Sequence, residues 1–320
     1  MMELIVKVIK RMKSKTRLLI YRNWIYFCKS FKYLKQKLNK IKEETELFIS
    51  KEEQKKTFYF IEISFKDSIF KMILERPGHI EDYIVQHGAW EPHISDLITF
   101  FMKENGIFLD VGANIGYHSL YIASSFENSE CICFEPNSLI YQQLNRNIKL
   151  NNRLKNIRAY DVAISNFDGE VEFYMQDESP YNRGISSLTH NWDLKLDTHG
   201  VKQISVQAAK LDDFLEESLK SRISVIKIDT QGTEYQVICG AMDIIEKSKP
   251  VIFFEFETAY QPENPAESLK EILNKIYGFG YKVFLVKSEY PELFYEFDIS
   301  LIADDLSFEG DFVCLPSDFL

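Results

Sequence analysis

A chain of 320 residues that is 45% apolar and 27% charged has the composition of a soluble globular protein, long enough to bury one sizeable core plus an appendage. Its net charge of −10 is uneven, because residues 1–42 hold 13 Lys and Arg against one Glu (+12) and the remainder carries −22. So acidic a body argues against a DNA or RNA substrate laid across its surface, and no apolar run is long enough to read as a membrane-spanning helix.

Residues 1–50 are basic, helix-prone and free of Pro and Gly. Ile20, Trp24, Phe27, Phe31, Leu34, Leu38 and Ile41 repeat at spacings of four and three, the period of an amphipathic helix. Such a stripe packs on its own domain or pairs as a short coiled coil. Its mixture of Trp, Phe and Lys also suits an anionic membrane surface or an acidic protein partner. The N-terminus lacks an apolar core followed by a small-residue cleavage site, so no signal peptide is read. Cys28, Cys131, Cys133, Cys239 and Cys314 form no C-x-x-C and sit mostly in apolar runs, as reduced thiols of a cytoplasmic protein would, whether free or peripheral at a membrane. Neither they nor the six histidines show metal-ligand spacing, so no metal ligands are assigned among them.

Thr57–Phe65 and Ile69–Leu74 are β-prone runs around Lys66-Asp67-Ser68, which predicts a hairpin. Pro77-Gly78-His79 breaks the chain, and Glu91 to Lys103 reads as an amphipathic helix. Next comes Phe108-Leu-Asp-Val-Gly-Ala-Asn-Ile-Gly-Tyr-His-Ser-Leu120, a buried strand, a tight turn and a helix from about Ile115 to Ala123. Glycines in such a turn let backbone approach a ligand closely, and the helix that follows presents unpaired N–H groups. The spacing from Gly112 to Gly116 is G-x-x-x-G, not the G-x-G-x-x-G of a dinucleotide fold. Asp110 at the strand end would repel a pyrophosphate but suits a ligand with an ammonium group, such as S-adenosylmethionine. Glu135, ending the strand Glu130–Glu135, could accept both ribose hydroxyls, and Asp161-Val-Ala-Ile-Ser165 closes a third strand where an adenine would lie. Gly112, Ala113, Asn114, Gly116 and Ala163 complete the cofactor-binding set.

Farther along, Glu170–Met175 and Ile204–Ala208 read as strands, and the polar, irregular 177–200 between them reads as a lid or binding loop. Asp212 and Asp213 start a helix, Ile223–Asp229 is an apolar strand, and one helix is predicted from Thr233 to Lys247. A strand at Pro250–Phe256, a helix at Ala266–Tyr277 and strands at Tyr281–Val286 and Phe312–Pro316 finish the chain. Strands alternating with helices predict an α/β fold, a mostly parallel sheet covered on both faces. The expected organisation is an extension over 1–50, a hairpin and helix over 51–104, and the main domain over 105–320.

The chain resembles the FkbM family of S-adenosylmethionine-dependent methyltransferases from about Trp90 to Pro316. The matching pieces are Phe108-Leu-Asp-Val-Gly-Ala-Asn-Ile-Gly, Phe134-Glu-Pro-Asn, Val162-Ala-Ile-Ser, Gly184-Ile-Ser-Ser-Leu188, Val225-Ile-Lys-Ile-Asp-Thr-Gln-Gly-Thr-Glu234 and Phe312-Val-Cys-Leu-Pro. The resemblance implies the class I methyltransferase (Rossmann-like) sheet of seven strands, S-adenosylmethionine as cofactor, and methyl transfer to a hydroxyl of a sugar, glycan or small metabolite. Gln231 departs from the pattern, since similar proteins carry an acid there.

A sugar hydroxyl is a poor nucleophile at neutral pH, so a general base, an orienting group or a metal held by a carboxylate is needed beside the cofactor, at the carboxyl ends of the strands. Asp229 is best placed, with Glu234 and Glu255 in support. Lys227 would lower the pKa of a nearby carboxylate. His118 reads as a packing residue, and His87, His93 and His190 as possible acceptor-side bases. The competing expectation is a catalytically impaired cofactor-binding scaffold acting through its N-terminal helix.

Overall fold

Phe108 and Leu109, Val225 and Ile226, Phe253 and Phe254 are adjacent pairs whose members join two different buried clusters. That period of two is the signature of strands buried on both faces. In the computed structural model these strands form the middle of one sheet; residues 57–65, 68–176, 186–187, 201–261, 264–286, 294–303 and 307–319 are described. Residues 1–50 and nearly all of the 177–200 loop, with His190, lie outside the described residues.

The described chain enters on an antiparallel hairpin, β1 (Thr57–Phe65) and β2 (Ser68–Arg76). Then come α1 (His79–His87), α2 (Pro92–Phe101), β3 (Ile107–Val111), α3 (Tyr117–Ser125), β4 (Glu130–Phe134), α4 (Ser138–Leu150) and β5 (Ile157–Tyr160). Strands β6 (Ala163–Ile164), β7 (Gly169–Gln176), β8 (Ser186–Ser187) and β9 (Val201–Ala209) make a separate sheet in the order β6-β9-β7-β8. After the short helices α5 (Leu211–Phe214) and α6 (Glu217–Lys220) come β10 (Ile223–Ile228), α7 (Glu234–Cys239), α8 (Met242–Ser248) and β11 (Val251–Glu257). The chain ends through α9 (Pro265–Gly278), β12 (Tyr281–Val286), β13 (Phe294–Glu296) and β14 (Glu309–Pro316).

The main sheet has the order β13-β12-β14-β11-β10-β3-β4-β5. Strands β3, β4, β5, β10 and β11 run parallel, and β14 inserts antiparallel between β11 and β12. The seven expected strands are present, and the three-residue β13 adds an eighth at the edge. Strand order reverses between β3 and β10, which opens a crevice at their carboxyl ends. One face is covered by α2, α3, α4 and the hairpin, the other by α7, α8 and α9. Phe70, Met72 and Leu74 of β2 are buried in the first layer. Asn147 of α4 and Asn151 just past its end clamp the edge of β2, accepting from Ile73 N (2.7 Å) and Lys71 N (2.8 Å).

Three local expectations change. Residues 79–87, read as the sequel of a break, form α1, closed by Gly88 in the left-handed conformation (φ 78). The single helix expected from Thr233 to Lys247 is two helices, parted at Gly240 and Ala241. A Cβ on Gly240 would sit 1.9 Å from Ser165 O, so the chain there packs against the loop after β6 instead of continuing straight. Asp212 serves the second helix, not its own. Its carboxylate accepts from Asp243 N (2.9 Å) and Ile244 N (3.0 Å) at the start of α8. No helix among the described residues is long and apolar enough to cross a membrane.

Candidate active site

The turn after β3 is built by close backbone approaches. Gly112 has φ +81, and a Cβ there would lie 1.8 Å from the carbonyl oxygen of Asp229. Gly112 N and Ala113 N both donate to Phe134 O (3.0 and 3.0 Å), tying the turn to the end of β4. Asn114 takes a left-handed conformation (φ 50), and its N–H donates to Glu135 Oε2 at 3.0 Å. The other Glu135 oxygen accepts from Asn137 N at 2.9 Å. A carboxylate has about four lone-pair sites, so Glu135 keeps capacity for hydroxyl donors.

These residues line a cavity of about 430 Å³ at the carboxyl ends of β3, β4, β10 and β11. Gly112, Ala113, Asn114, Glu135, Val162 and Ala163 form one side. Lys227, Asp229, Gln231, Glu255, Glu257 and Glu309 form the other, with Trp90 and Glu91, just before α2, and His118 of α3 closing it. The cavity wall is acidic: among its described residues seven carboxyl side chains face one lysine.

Lys227 sits at the centre of the far side, its ammonium 2.8 Å from Asp229 Oδ2. It is buried, which alone would lower its pKa, but Asp229, Glu91 and Asp110 outweigh burial and hold the charge. Burial would likewise raise Asp229, yet Lys227 and hydrogen bonds with Glu255 and Gln231 pull it down to about 2. The Gln231 amide, on a backbone at φ 55, donates to Asp229 Oδ1 (3.0 Å) and Glu255 Oε2 (3.1 Å). Glu255 goes the other way, driven well up by the Asp229 charge, then by burial and Asp311. The two carboxyls therefore titrate as a coupled pair, with Asp229 favouring the ionised form and Glu255 the protonated one.

Glu91 was not foreseen. Its carboxylate accepts from His118 Nε2 at 3.1 Å, and the His118 Nδ1 lies 3.0 Å from Ser95 Oγ. Burial raises its pKa, but His118 and Lys227 more than reverse this and leave it below the ordinary value. A Glu directly before the Pro that opens a helix was the cue in sequence; its direction into the cavity was not legible.

Four expected site residues stand elsewhere. Asp110 is 1% exposed and does not line the cavity, because its side chain points toward α3, where Ser119 Oγ donates to Oδ2 at 2.6 Å. Gly116 (φ +86) faces α4, with Leu144 Cδ1 2.4 Å from where a Cβ would be, and so serves packing. Asp161 is exposed at the end of β5 and contributes no lining, whereas its neighbours Val162 and Ala163 do. Glu234 is buried beneath the turn after β10, accepting from Thr230 Oγ1 (3.1 Å), Gly232 N (3.0 Å) and Gln261 Nε2 (3.1 Å). It shapes that turn and does not face the cavity. His87 is stacked on Tyr83 at the surface, and His93 lies 4.0 Å from Asp311. Among the described residues no group of three or more His, Cys, Asp or Glu side chains is arranged to hold a metal ion.

Glu135 supplies a pH-dependent test. Burial pushes its pKa up to about 7 against the opposing Asn137 and Asn114 N–H groups. Since the folded value exceeds the unfolded one of about 4.3, this group's stabilisation is complete below about pH 4 and is lost as pH rises through about 7. Glu135→Gln is expected to flatten that fall and to gain on the order of 1–3 kcal/mol over the parent at pH 8. Urea titrations at pH 5, 6, 7 and 8 check it; parallel curves for the two proteins refute the assignment.

Residues 110–283 match the Methyltransferase FkbM domain. The chain is 26% identical over 184 residues to methyltransferase sdnD of Sordaria araneosa, covering 50% of this chain and 69% of that protein. It is 24% identical over 192 residues to the 2-O-methyltransferase NoeI of Sinorhizobium fredii (strain NBRC 101917 / NGR234), covering 55% of this chain and 74% of that one. The hexuronic acid methyltransferase AglP of Haloferax volcanii is 22% identical over 209 residues, covering 62% and 80%. Among solved structures, a methyltransferase FkbM from Methylobacillus flagellatus KT aligns with a TM-score of 0.45 at 13% identity, over 74% of this chain and about half (52%) of that one.

Proposed function

This chain belongs to the FkbM methyltransferase family, and from that premise we propose that it moves a methyl group from S-adenosylmethionine to a hydroxyl of a sugar, glycan or small hydroxylated metabolite. The observation that carries the reading is the facing of two walls across one cavity. On one side stand the Gly112–Asn114 turn and the Glu135 carboxylate; on the other stand Asp229 and Glu255, bridged by the Gln231 amide. The residues fit the cofactor chemically. The left-handed Gly112 and Asn114 form a bare backbone cradle, Glu135 has lone pairs left for ribose hydroxyls, and the carboxylates around Lys227 favour a cation.

When bound, S-adenosylmethionine supplies an electrophilic methyl carbon on a sulfonium. The protein's own part is alignment and proton handling. Asp229, about a quarter exposed toward the cavity (26%), is placed to accept the hydrogen of the acceptor hydroxyl. Gln231 fixes the orientation of its Oδ1 and Lys227 that of Oδ2, with Glu255 hydrogen-bonded to the same carboxylate. Glu257 and Glu309 oppose each other across β11 and β14, so that side suits a hydroxylated acceptor without a negative charge. The names of NoeI and AglP lend support to a sugar-type hydroxyl.

Two measurements test the reading. Calorimetric titration with S-adenosylmethionine and with its demethylated product is expected to give micromolar binding. Asp229→Asn is expected to keep that affinity within about threefold and to lower labelled methyl transfer about 100-fold or more, the usual scale of a lost proton acceptor. Full turnover in that variant removes Asp229 from the chemistry. A folded protein that binds neither nucleoside overturns the whole proposal.

A further inference from the structure

A carboxylate is the strongest partner a cavity can offer to a donor's ammonium group, and the acid at the end of β3 does not line the cavity. Asp110 is turned into the core onto Ser119, with its other oxygen buried and unpaired. Asp229 lines the cavity, but its Oδ2 already neutralises the Lys227 ammonium, Oδ1 accepts from Gln231, and in the reading above its remaining lone pairs serve the acceptor hydroxyl. Glu135 lies on the opposite wall, and the lone pairs left by its two backbone N–H partners are the ones assigned above to the ribose hydroxyls.

Glu91 differs from all three. Only Oε2 is held, by His118 Nε2 at 3.1 Å; Oε1 has no hydrogen-bond partner among the described residues, and the side chain keeps 24% exposure toward the cavity. Its backbone sits at φ 38, ψ 59 immediately before Pro92. That conformation is disfavoured twice, once for any side-chain-bearing residue and once for a residue preceding proline. It persists because the Glu91 carbonyl accepts from Ile94 N (3.0 Å) and Ser95 N (3.1 Å), the first turn of α2. The result is a carboxylate fixed from behind and open in front. It is also one of three carboxylates, with Asp229 and Asp110, that share the single ammonium of Lys227. This end of the cavity is short of positive charge until a cation arrives.

We propose that Glu91 receives the α-ammonium group of the methyl donor, with His118 as its positioning residue. The assignment rests on the S-adenosylmethionine reading above and adds to it a contact made by a residue outside the matched domain region 110–283.

The test is a ligand–protein cycle read by calorimetric affinity, without turnover. The ligands are S-adenosylhomocysteine and its deaminated analogue, in which hydrogen replaces the ammonium; the proteins are the wild type and Glu91→Gln. Loss of the ammonium is expected to weaken binding to the wild type about 10- to 100-fold, the scale of a charge-assisted hydrogen bond. In Glu91→Gln, S-adenosylhomocysteine should bind about as weakly as the analogue binds the wild type, and deamination should cost less than about threefold more. Discrimination by Glu91→Gln equal to that of the wild type overturns the assignment while leaving the donor reading intact. A folded wild type that binds S-adenosylhomocysteine not at all removes both. His118→Gln, which retains an N–H donor, should restore most of the discrimination that His118→Phe loses; equal discrimination in the two overturns the positioning role.

Discussion

Gly112→Ala is expected to cost the fold about 2–5 kcal/mol and to abolish donor binding. The range combines about 1–2 kcal/mol for placing a side chain in the left-handed region with about 1–3 kcal/mol for forcing atoms into a filled space. Here the space is filled by backbone, since the new methyl would fall 1.8 Å from Asp229 O. Nothing flexible can yield, so the ends of β3 and β10 must separate. That movement carries Asp229 away from the Gly112–Asn114 turn and spoils both walls at once. Gly280→Ala is the matched control: it is also left-handed (φ +77) but has nothing within 4 Å of its added carbon. It should lose only the conformational part. Denaturant midpoints and calorimetry on both variants decide, and an equal loss in the two with donor binding preserved refutes the close approach.

Lys227→Met should be nearly as damaging, at about 3–5 kcal/mol, because it removes one partner of a buried charge cluster and leaves the others uncompensated. The pH dependence gives the sharper readout. In the parent, Asp229 is held down to about 2, so its contribution is present above the unfolded value of about 3.9 and is lost as pH falls through about 2. Without the ammonium, burial dominates and the folded value rises above the unfolded one. The sign then reverses, and the variant gains stability as pH falls from about 8 toward 5. Methionine matches the stem of lysine in length, so packing loss contributes little. A variant that melts like the parent at pH 8, or whose stability does not rise on acidification, removes Lys227 from its central place.

The strands of the sheet were legible because their side chains alternate between two apolar layers, and a run such as Ile223–Ile228 has no other stable home. The turn at Gly112 was legible for a related reason, since a small-residue strand-to-helix junction is rare and specific. What escaped was direction. Asp110 and Asp229 both end strands, yet one carboxylate turns to Ser119 and the other to the cavity. Glu234 and Glu255 are both acids near β10 and β11, but the first is consumed by the turn it supports. Gln231, marked in sequence as a departure, holds two carboxyl groups together through its amide, where an acid would add a further negative charge. The break at Gly240 depended on a contact with Ser165, 75 positions away in the chain, that no local pattern encodes.

The pleat that sorts the apolar side chains of β10 also sorts its charges. Val225 and Lys227 share a face, toward α3 with Phe108, while Ile226 and Ile228 face the other layer. Inserting or deleting one residue inside this strand would exchange the faces, sending an ammonium among isoleucines and leaving the carboxylates without it. The parity of β10 is thus inherited as a unit with the chemistry at its end. Descendants of this chain can change what they act on by lengthening the loops beyond the strands, where an added residue alters no parity. The strand itself can drift in side-chain size but not in length.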